Sequence, residues 1–562
     1  MSNEPLEGAY GSRRRLFLGG ACLSLAALAG AGLYRFCGHD LVRSLYRGEW
    51  PWLSHLVKRR GEHPVEHYLA IADRAVYGLL LWSVLVFLLY WALRELGGRR
   101  PAWLLPDPWW RRLTIASAAV WLLFLLRVPL FQALPWWFWS LEDKPLPLWW
   151  LFAPLAAAGA GVVYAVSSRP RRRWLNLLLL MALCYALQLG FGLMEGRGLQ
   201  SLSDRLTGSG GHARLALAGT GWTPGHLLRF YPSMVADEEL PHFPHATRPP
   251  GPVIAFALLD QLAGHLPTSG DDRRERAARL AALLFPLMAT LTLVPLWGLC
   301  RLAIPGEREA WTPLLLYVSA PSLLLMVLHL DQCLFPLIAT TCLYLVVRAL
   351  AANRLLPAFA AGVCLYAGLY FSFGLIALAV ASGTLLLLFA HTRQAWRQAG
   401  TAAAAMLAGA ALPHLGMWLG FGYDALAQLR FGMAAHQAFK FPQWGFGHTL
   451  YFGALNLVEF ALWCGPALAL LCAAQLFRSC RSWPPAAMAD LLVLSLAVVL
   501  AGLVLFGRTA AETARLWLFL LPLAAIAGAR FLGETVPGRG VGFLLALQLA
   551  TVLAVKKFQD LF

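Results

Sequence analysis

The segment of residues 195–252 concentrates the side chains that could do chemistry. It carries carboxylates, histidines and arginines among many glycines and prolines, and it separates two strongly apolar halves of the chain. A connection of this length without a hydrophobic period is usually either a functional loop or disordered. Its tyrosines, its tryptophan and the apolar run at 227–230 favour an ordered loop that bears an active site.

Two carboxylates in this segment are candidates for a general base, which must lie within hydrogen-bonding reach of the proton that it removes. Asp204 lies early in the loop, beyond the end of the preceding apolar run, and is the first choice. Glu195 is the second choice because it lies closer to the membrane interface, where partial burial makes a carboxylate a stronger base. The acidic run at 237–239 is more typical of a solvated turn or a helix start.

Two arginines are the leading candidates for binding an anionic phosphate group: Arg515 and Arg248. Glu512 precedes Arg515 by three residues, so on a helix the two side chains share one face and can pair. An ionisable residue left in lipid costs about 2.5–3.5 kcal/mol, so retaining both indicates mutual pairing or a charged ligand. A structural ion pair and a phosphate-binding arginine oriented by Glu512 are both open, and the two interpretations overlap.

Further polar residues are weaker candidates for contacts with a substrate. A lone histidine near a membrane interface is usually a satisfied polar group, and a lysine there is often an ordinary anchor. These candidates are His212, His245, Tyr231, Asp331, His329 and Lys440.

The composition requires elements that span a membrane. Of the 562 residues 59% are hydrophobic and 13% are charged, whereas soluble domains carry roughly a quarter of charged residues. Only helices or closed barrels span a membrane, and apolar runs of about 20 residues favour helices. The sequence therefore predicts an all-α polytopic membrane protein of about 13–15 transmembrane helices, with a large external loop at 195–266 that carries interfacial helices.

The apolar runs set the predicted positions of the helices. The first run ends near residue 34, and a short interfacial helix ends near residue 266. The other predicted spans are 74–96, 113–134, 147–167, 174–194, 277–300, 312–329, 332–350, 355–371, 373–391, 400–420, 452–476, 487–507, 513–533 and 540–556. Residues 1–173 form a predicted four-helix membrane extension, residues 174–533 a core, and residues 534–562 a C-terminal helix.

The net charge of +17 is interpreted as a signal of membrane topology. Lysines and arginines fall mainly in short connections between apolar runs, where they orient helices with the basic side in the cytoplasm. This pattern argues against nucleic acid as a partner and places the loop at 195–266 outside. The ten cysteines form no C-x-x-C pair, so neither a zinc site nor a disulfide framework is indicated. No cofactor is predicted, and a divalent metal ion stays open.

Two motifs carry a resemblance to a known superfamily. Residues 242–252, HFPHATRPPGP, resemble the T-H-P-P-G-P signature that follows the first external loop of C-type (GT-C) polyprenyl-phosphate-sugar glycosyltransferases, including protein O-mannosyltransferases and aminoarabinose transferases. Residues 507–522, GRTAAETARLWLFLLP, resemble the G-E-x-x-R-L-W-x-F-x-x-P element of some bacterial members. The likeness extends over about residues 174–533. Arg248 stands where the pattern usually has histidine, and the acidic pair that supplies the family's base is lacking, so the identity of the base is open.

The resemblance implies a GT-C-like fold and an inverting glycosyltransferase. Such an enzyme would move a sugar from a polyprenyl phosphate to a lipid, glycan or protein acceptor on the periplasmic or extracellular side of the plasma (inner) membrane. Asp204 or Glu195 would be catalytic, and Arg515, Arg248 and Glu512 would bind the donor phosphate. A polytopic lipid or solute transporter or flippase is the competing class, although no internal repeat supports it. A ligase of the O-antigen type is a third.

Overall fold

The computed structural model describes most of the second half of the chain and parts of the first. The described residues are 29–30, 33–34, 38–47, 65–66, 68–69, 72–73, 76, 108–125, 144–200, 202–203, 223–236, 249–265, 273–326, 330–440, 445–485, 487–506, 509, 512–533 and 538–558. Within these ranges all regular secondary structure is helical. The protein is a multi-pass membrane protein that is helical in the part of the chain that the structure describes.

The described helices are numbered here in chain order. They are α1 His39–Arg47, α2 Pro108–Leu125, α3 Phe152–Ser168, α4 Arg173–Leu193, α5 Pro224–Ala236, α6 Gly251–Gly264, α7 Arg273–Thr290, α8 Leu293–Ala303, α9 Thr312–Val318, α10 Pro321–Leu325, α11 Leu330–Ala352, α12 Leu355–Phe371, α13 Ile376–Arg393, α14 Trp396–Phe421, α15 Ala425–Lys440, α16 Phe446–Cys464, α17 Pro466–Arg481, α18 Met488–Phe506, α19 Thr513–Leu516, α20 Leu521–Leu532 and α21 Gly538–Phe558. Short 3-10 turns lie at Trp149–Leu151, Glu309–Trp311, Phe373–Leu375 and Leu518–Leu520.

The chain divides into two compact units. The smaller contains Met1–Pro129, Leu141–Trp149 and Lys557–Gln559, and the larger contains Leu130–Ser140, Trp150–Lys556 and Asp560–Phe562. In the smaller unit Lys557 donates from Nζ to the carbonyl of Lys144 at 2.7 Å, and the Lys144 amide donates back to the Lys557 carbonyl at 3.0 Å. All of the site residues discussed below that the structure describes lie in the larger unit. The predicted division at residue 173 stays a prediction.

Eight of the described helical stretches are long and apolar enough to cross a membrane, and a ninth is formed if α16 and α17 count as one bent span. Four shorter apolar helices accompany them, among them α6 and α12. Where the apolar run is uninterrupted, the predicted and observed bounds agree within about five residues, as they do for α3, α4, α11, α12, α13, α14, α18 and α21. The predicted spans ending near residue 34 and at 74–96 lie outside the described residues, so the predicted total stays a prediction.

Four of the predicted spans are divided in the structure instead of forming one continuous helix. One of them, 277–300, is divided at residues 291–292 between α7 and α8, which together still form one candidate span. The predicted span 312–329 is divided at Ala320, whose extended backbone (ψ 134°) is the conformation that a following proline imposes. The predicted span 452–476 bends by 119° at Gly465, which has φ +92° and precedes Pro466. The predicted span 513–533 is interrupted by a 3-10 turn at Leu518–Leu520, since Pro522 has no amide hydrogen to continue the helical bonding.

Hydrogen bonds and ion pairs join polar residues at the ends of neighbouring helices. Arg173 at the start of α4 donates to Glu307 at 2.8 Å, and Arg530 of α20 makes a two-point contact with Asp490 of α18 at 3.1 and 3.2 Å. Gln398 at the start of α14 donates to the carbonyl of Leu350 near the end of α11 at 2.6 Å. The side of the membrane on which these connections lie stays a prediction.

Candidate functional site

A polar cluster surrounds the short helix α19. Glu512, the residue before this helix, accepts a hydrogen bond through Oε2 from Nη2 of Arg515 at 2.6 Å. The Arg515 side chain is 11% exposed and that of Glu512 is 14% exposed, so the pair is largely removed from solvent. The predicted contact between the two side chains is therefore present, although Glu512 precedes the helix instead of lying inside it.

The backbone at Glu512 is held in a left-handed conformation. Its φ of +67° is one of three positive φ values among the described non-glycine residues. This conformation costs an ordinary residue roughly 1–2 kcal/mol, so it persists only where the surrounding structure fixes it. The Glu512 carbonyl accepts the amides of Arg515 and Leu516 at 3.0 and 2.9 Å, which starts α19 and turns the arginine back toward the glutamate.

Helix α16 forms a polar wall beside this segment. Glu459, only 1% exposed, accepts the amide of Ala514 through Oε1 at 3.1 Å. Asn456 precedes it by three residues, so the two side chains share a face of the helix. Asn456 is fully buried and donates to the backbone carbonyl of Thr509 and, at 3.2 Å, to its hydroxyl. Both ends of the connection that carries Glu512 are thus fixed to α16.

Glu459 is a residue of this cluster that was not predicted from the sequence. Its partner, the amide of Ala514, lies 55 residues away, so no local spacing indicates the contact. The available signal was the carboxylate itself, because an acidic residue inside an apolar helix is costly unless it is paired or functional.

Several polar atoms around α19 are buried and make no hydrogen bond within the described part of the chain. They are Thr513 Oγ1, Arg515 Nε, Trp517 Nε1 and Asn456 Oδ1. Buried polar groups are nearly always hydrogen-bonded, so a concentration of unpaired ones requires an explanation such as a bound polar group. The guanidinium of Arg515 uses Nη2 for Glu512, and its Nε edge points to no described acceptor.

Glu195 lies in a second ion pair, beyond the end of α4. Its Oε1 accepts a hydrogen bond from Nζ of Lys556 in the last turn of α21. The lysine is 3% exposed and the glutamate 15% exposed. The carboxylate predicted as a possible base is therefore engaged with a buried ammonium group.

Tyr231 has an anchoring contact in α5. It is 1% exposed, packs with Leu228, Val253 and Tyr423, and donates its hydroxyl to the carbonyl of Pro249 at 3.3 Å. That bond fixes the start of the Pro-Pro-Gly-Pro sequence that opens α6. Substrate binding by Tyr231 stays a prediction.

The close packing around Gly251 accounts for the glycine in the Pro-Pro-Gly-Pro sequence. A Cβ atom at this position would lie 2.4 Å from the carbonyl oxygen of Tyr370 in α12, far inside the contact distance of real Cβ atoms. Only glycine lets the start of α6 approach α12 so closely.

The remaining predicted site residues cannot be placed in this geometry. Asp331 lies in the first turn of α11 and Lys440 is the last residue of α15, and only their backbone is described. The following predicted residues lie outside the described ranges: Asp204, His212, His245, Arg248 and His329.

Among the residues that the structure describes, no three histidine, cysteine, aspartate or glutamate side chains come together as metal ligands would. The eight described cysteines are free thiols.

Comparison of the sequence with protein-family models gives no match, and comparison with curated proteins gives none either. The evidence for a helical, multi-pass membrane protein is therefore the length and apolar composition of its helices.

Proposed function

We propose that the protein is a membrane glycosyltransferase. It moves a sugar from a polyprenyl-phosphate donor to a hydroxyl or amine of a lipid, glycan or protein acceptor at the outer face of the plasma membrane. The observation that carries the proposal is Arg515, a nearly buried guanidinium with one partner and a free Nε edge among the described residues. Such a group suits an anionic oxygen on a departing phosphate.

In the proposed reaction the acceptor attacks the anomeric carbon while a carboxylate takes its proton. The bond between that carbon and the phosphate oxygen breaks, and the phosphate leaves with the bonding electrons. Arg515 neutralises the charge that develops on the phosphate, and Glu512 holds the guanidinium in position. Glu459 contributes by fixing the Ala514 amide and hence the start of α19.

Of the two proposed bases, Asp204 is favoured over Glu195. Glu195 would have to release the ammonium of Lys556 before it could accept a proton from the acceptor. Asp204 is proposed as the base, with Arg248 as a second phosphate ligand and His212, His245, His329, Asp331 and Lys440 as further substrate contacts. Inversion at the anomeric carbon follows from the family resemblance alone.

A transporter or flippase is the second candidate function. The observation in its favour is the 119° bend between α16 and α17, because transporters often place substrate sites at interrupted helices. Glu459 lies on the first of these helices and is buried. The two functions differ in whether the covalent bond to the donor phosphate breaks.

The proposal is tested with the full chain in proteoliposomes that contain a polyprenyl-phosphate-linked sugar. Arg515→Ala should lower sugar transfer by about 100-fold or more, the effect typical of removing one donor to a developing oxyanion. Arg515→Lys keeps the charge but loses the planar fork, so its activity should be intermediate. Arg397→Ala, at an exposed arginine near the start of α14, is the matched control.

Full transfer by the Arg515→Ala protein would remove this residue from the mechanism. If no wild-type preparation breaks the sugar–phosphate bond and labelled polyprenyl phosphate instead crosses the bilayer, the transporter is correct. Asp204→Asn and Glu195→Gln, assayed separately, should give one inactive and one active enzyme. Full activity in both would exclude both carboxylates as the base.

A further inference from the structure

The other end of α4 carries a cavity that the proposed reaction does not use. It is an open cavity with a volume of about 540 Å³, and it is lined by Arg171, Arg172, Arg173, Trp174, Leu175 and Glu307. The helix between this cavity and Leu193 has 21 residues, so about 30 Å separate it from the end of α4 near Glu195.

The charge of this cavity is strongly positive. Glu307 accepts a hydrogen bond from Nε of Arg173 at 2.8 Å and lies 3.9 Å from Nη1 of Arg301. Arg171 and Arg172 make no ion pair within the described residues. Four guanidinium groups therefore meet one carboxylate. Like charges that line one cavity repel one another, and a bound anion would relieve the repulsion.

Tryptophans form a wall beside the arginines. Trp174 lies 6.3 Å from Trp297 between ring centroids, and Trp297 stacks on Trp311 at 5.9 Å. Trp311 donates its indole hydrogen to the carbonyl of Pro170 at 3.1 Å, which fixes the turn that presents Arg171. Tryptophan is enriched at the level of lipid headgroups because its ring is apolar and its nitrogen is polar.

An apolar strip continues from the cavity along α4. Trp174, Leu175 and Leu178 lie on one side of the helix and are 73%, 46% and 63% exposed. In a membrane helix, exposed apolar side chains contact acyl chains. The strip thus begins where the arginines end.

We propose that this cavity binds the phosphate headgroup of an anionic phospholipid, with its acyl chains along the strip of Trp174, Leu175 and Leu178. Arg171 and Arg172 contact the phosphate, while the Glu307 carboxylate neutralises part of the charge of Arg173 and Arg301 and so competes with the bound anion. Arginine suits this role because its planar fork matches two phosphate oxygens. Basic pockets between membrane helices are a known mode of anionic-lipid recognition. Free phosphate would satisfy the arginines but would leave the apolar strip without a role.

The test measures the affinity of the purified full chain, in a neutral detergent, for fluorescent phosphatidylglycerol. Unlabelled phosphatidylglycerol, phosphatidylcholine and inorganic phosphate are the competitors. Each juxtamembrane arginine contributes roughly a fivefold gain, so Arg171→Gln/Arg172→Gln should weaken binding by about 30-fold. Arg354→Gln/Arg397→Gln removes the same charge from other exposed connections and should change binding by less than about twofold.

Two further variants separate lipid binding from an effect on membrane orientation or folding. Arg171→Lys/Arg172→Lys keeps every charge but loses the fork, so binding should fall only partly. Glu307→Gln removes the one carboxylate and should strengthen binding by roughly fivefold, which a merely structural role would not do. Both variants preserve or increase the positive charge that orients α4. They therefore still test lipid binding if Arg171→Gln/Arg172→Gln fails to insert into the membrane.

Three results would overturn the proposal. Equal competition by phosphatidylglycerol and phosphatidylcholine would show that the headgroup charge is not recognised. An equal loss in the control variant would show attraction by the overall charge of the protein. Displacement of the lipid by inorganic phosphate as effectively as by phosphatidylglycerol would identify a site for the free anion.

Discussion

Removing one partner of the Glu512–Arg515 pair should cost stability, and removing both should restore most of it. Arg515→Met keeps most of the side-chain volume but leaves Glu512, only 14% exposed, without its guanidinium. Breaking a buried pair costs about 3–5 kcal/mol, and the remaining solvent contact reduces this to about 2–3 kcal/mol.

The second single variant also tests the backbone. Glu512→Gly leaves Arg515 without its carboxylate but relieves the φ of +67°, which costs a non-glycine residue about 1–2 kcal/mol. Its net destabilisation should therefore be about 1 kcal/mol. The double variant Glu512→Gly/Arg515→Met has neither an unpaired charge nor a strained backbone, and it should lie within about 1 kcal/mol of the wild type.

Equilibrium unfolding in mixed micelles, followed by tryptophan fluorescence, measures these free energies. The chain has 23 tryptophans, so the signal reports on unfolding of the whole molecule, and Trp517, buried two residues from Arg515, contributes to it. Arg397→Met, at an exposed site, is the control and should change the unfolding free energy by no more than about 0.5 kcal/mol. A coupling energy below about 0.5 kcal/mol between the two substitutions would refute the buried pair. A stable double variant that has lost sugar transfer would separate the chemical role of the pair from its structural role.

Three other predictions concern separate parts of the molecule. Lys556→Met should destabilise the protein by about 3 kcal/mol because it removes one partner of a largely buried ion pair, and adding Glu195→Met should recover most of the loss in the same unfolding assay. Gly251→Ala should destabilise by about 1–3 kcal/mol because the new methyl group would overlap the Tyr370 carbonyl, whereas an alanine at an unobstructed glycine would not. Hydrogen bonding and charge from neighbouring arginines hold the pKa of Glu307 below its ordinary value of 4.5. The stabilisation from that carboxylate is complete above pH 4.5 and is lost as the pH falls through the lower pKa of the folded state. The stability difference between wild type and Glu307→Gln should therefore vanish in acid, and a difference that grows as the pH falls would contradict this.

Apolar runs and short-range spacings in the sequence predicted helix positions and one side-chain contact correctly. A run of about 20 apolar residues has few alternatives to a helix in a membrane, so α4, α11 and α12 lie close to their predicted bounds. The Glu512–Arg515 contact was also predictable because three residues separate its partners.

Non-local contacts and breaks inside apolar runs were not predictable in the same way. Hydropathy averages over a window, so the glycine and proline at 465–466 do not interrupt an apolar segment by that measure, although they bend it by 119°. Glu459 and the Ala514 amide come together only through the packing of α16 against α19. Glu195 forms its ion pair with Lys556, which lies 361 positions later in the chain, and nothing in the local sequence of either residue identifies the other.

The pairing of Glu195 with Lys556 sets an order for biosynthesis. The two residues are 361 positions apart, and a ribosome adds about 5–20 residues per second, so the glutamate emerges about 20–70 s before its partner. During that interval the contact between Glu195 and the Lys556 ammonium cannot form. The packing of the end of α4 against this lysine is therefore completed only after α21 has been synthesised.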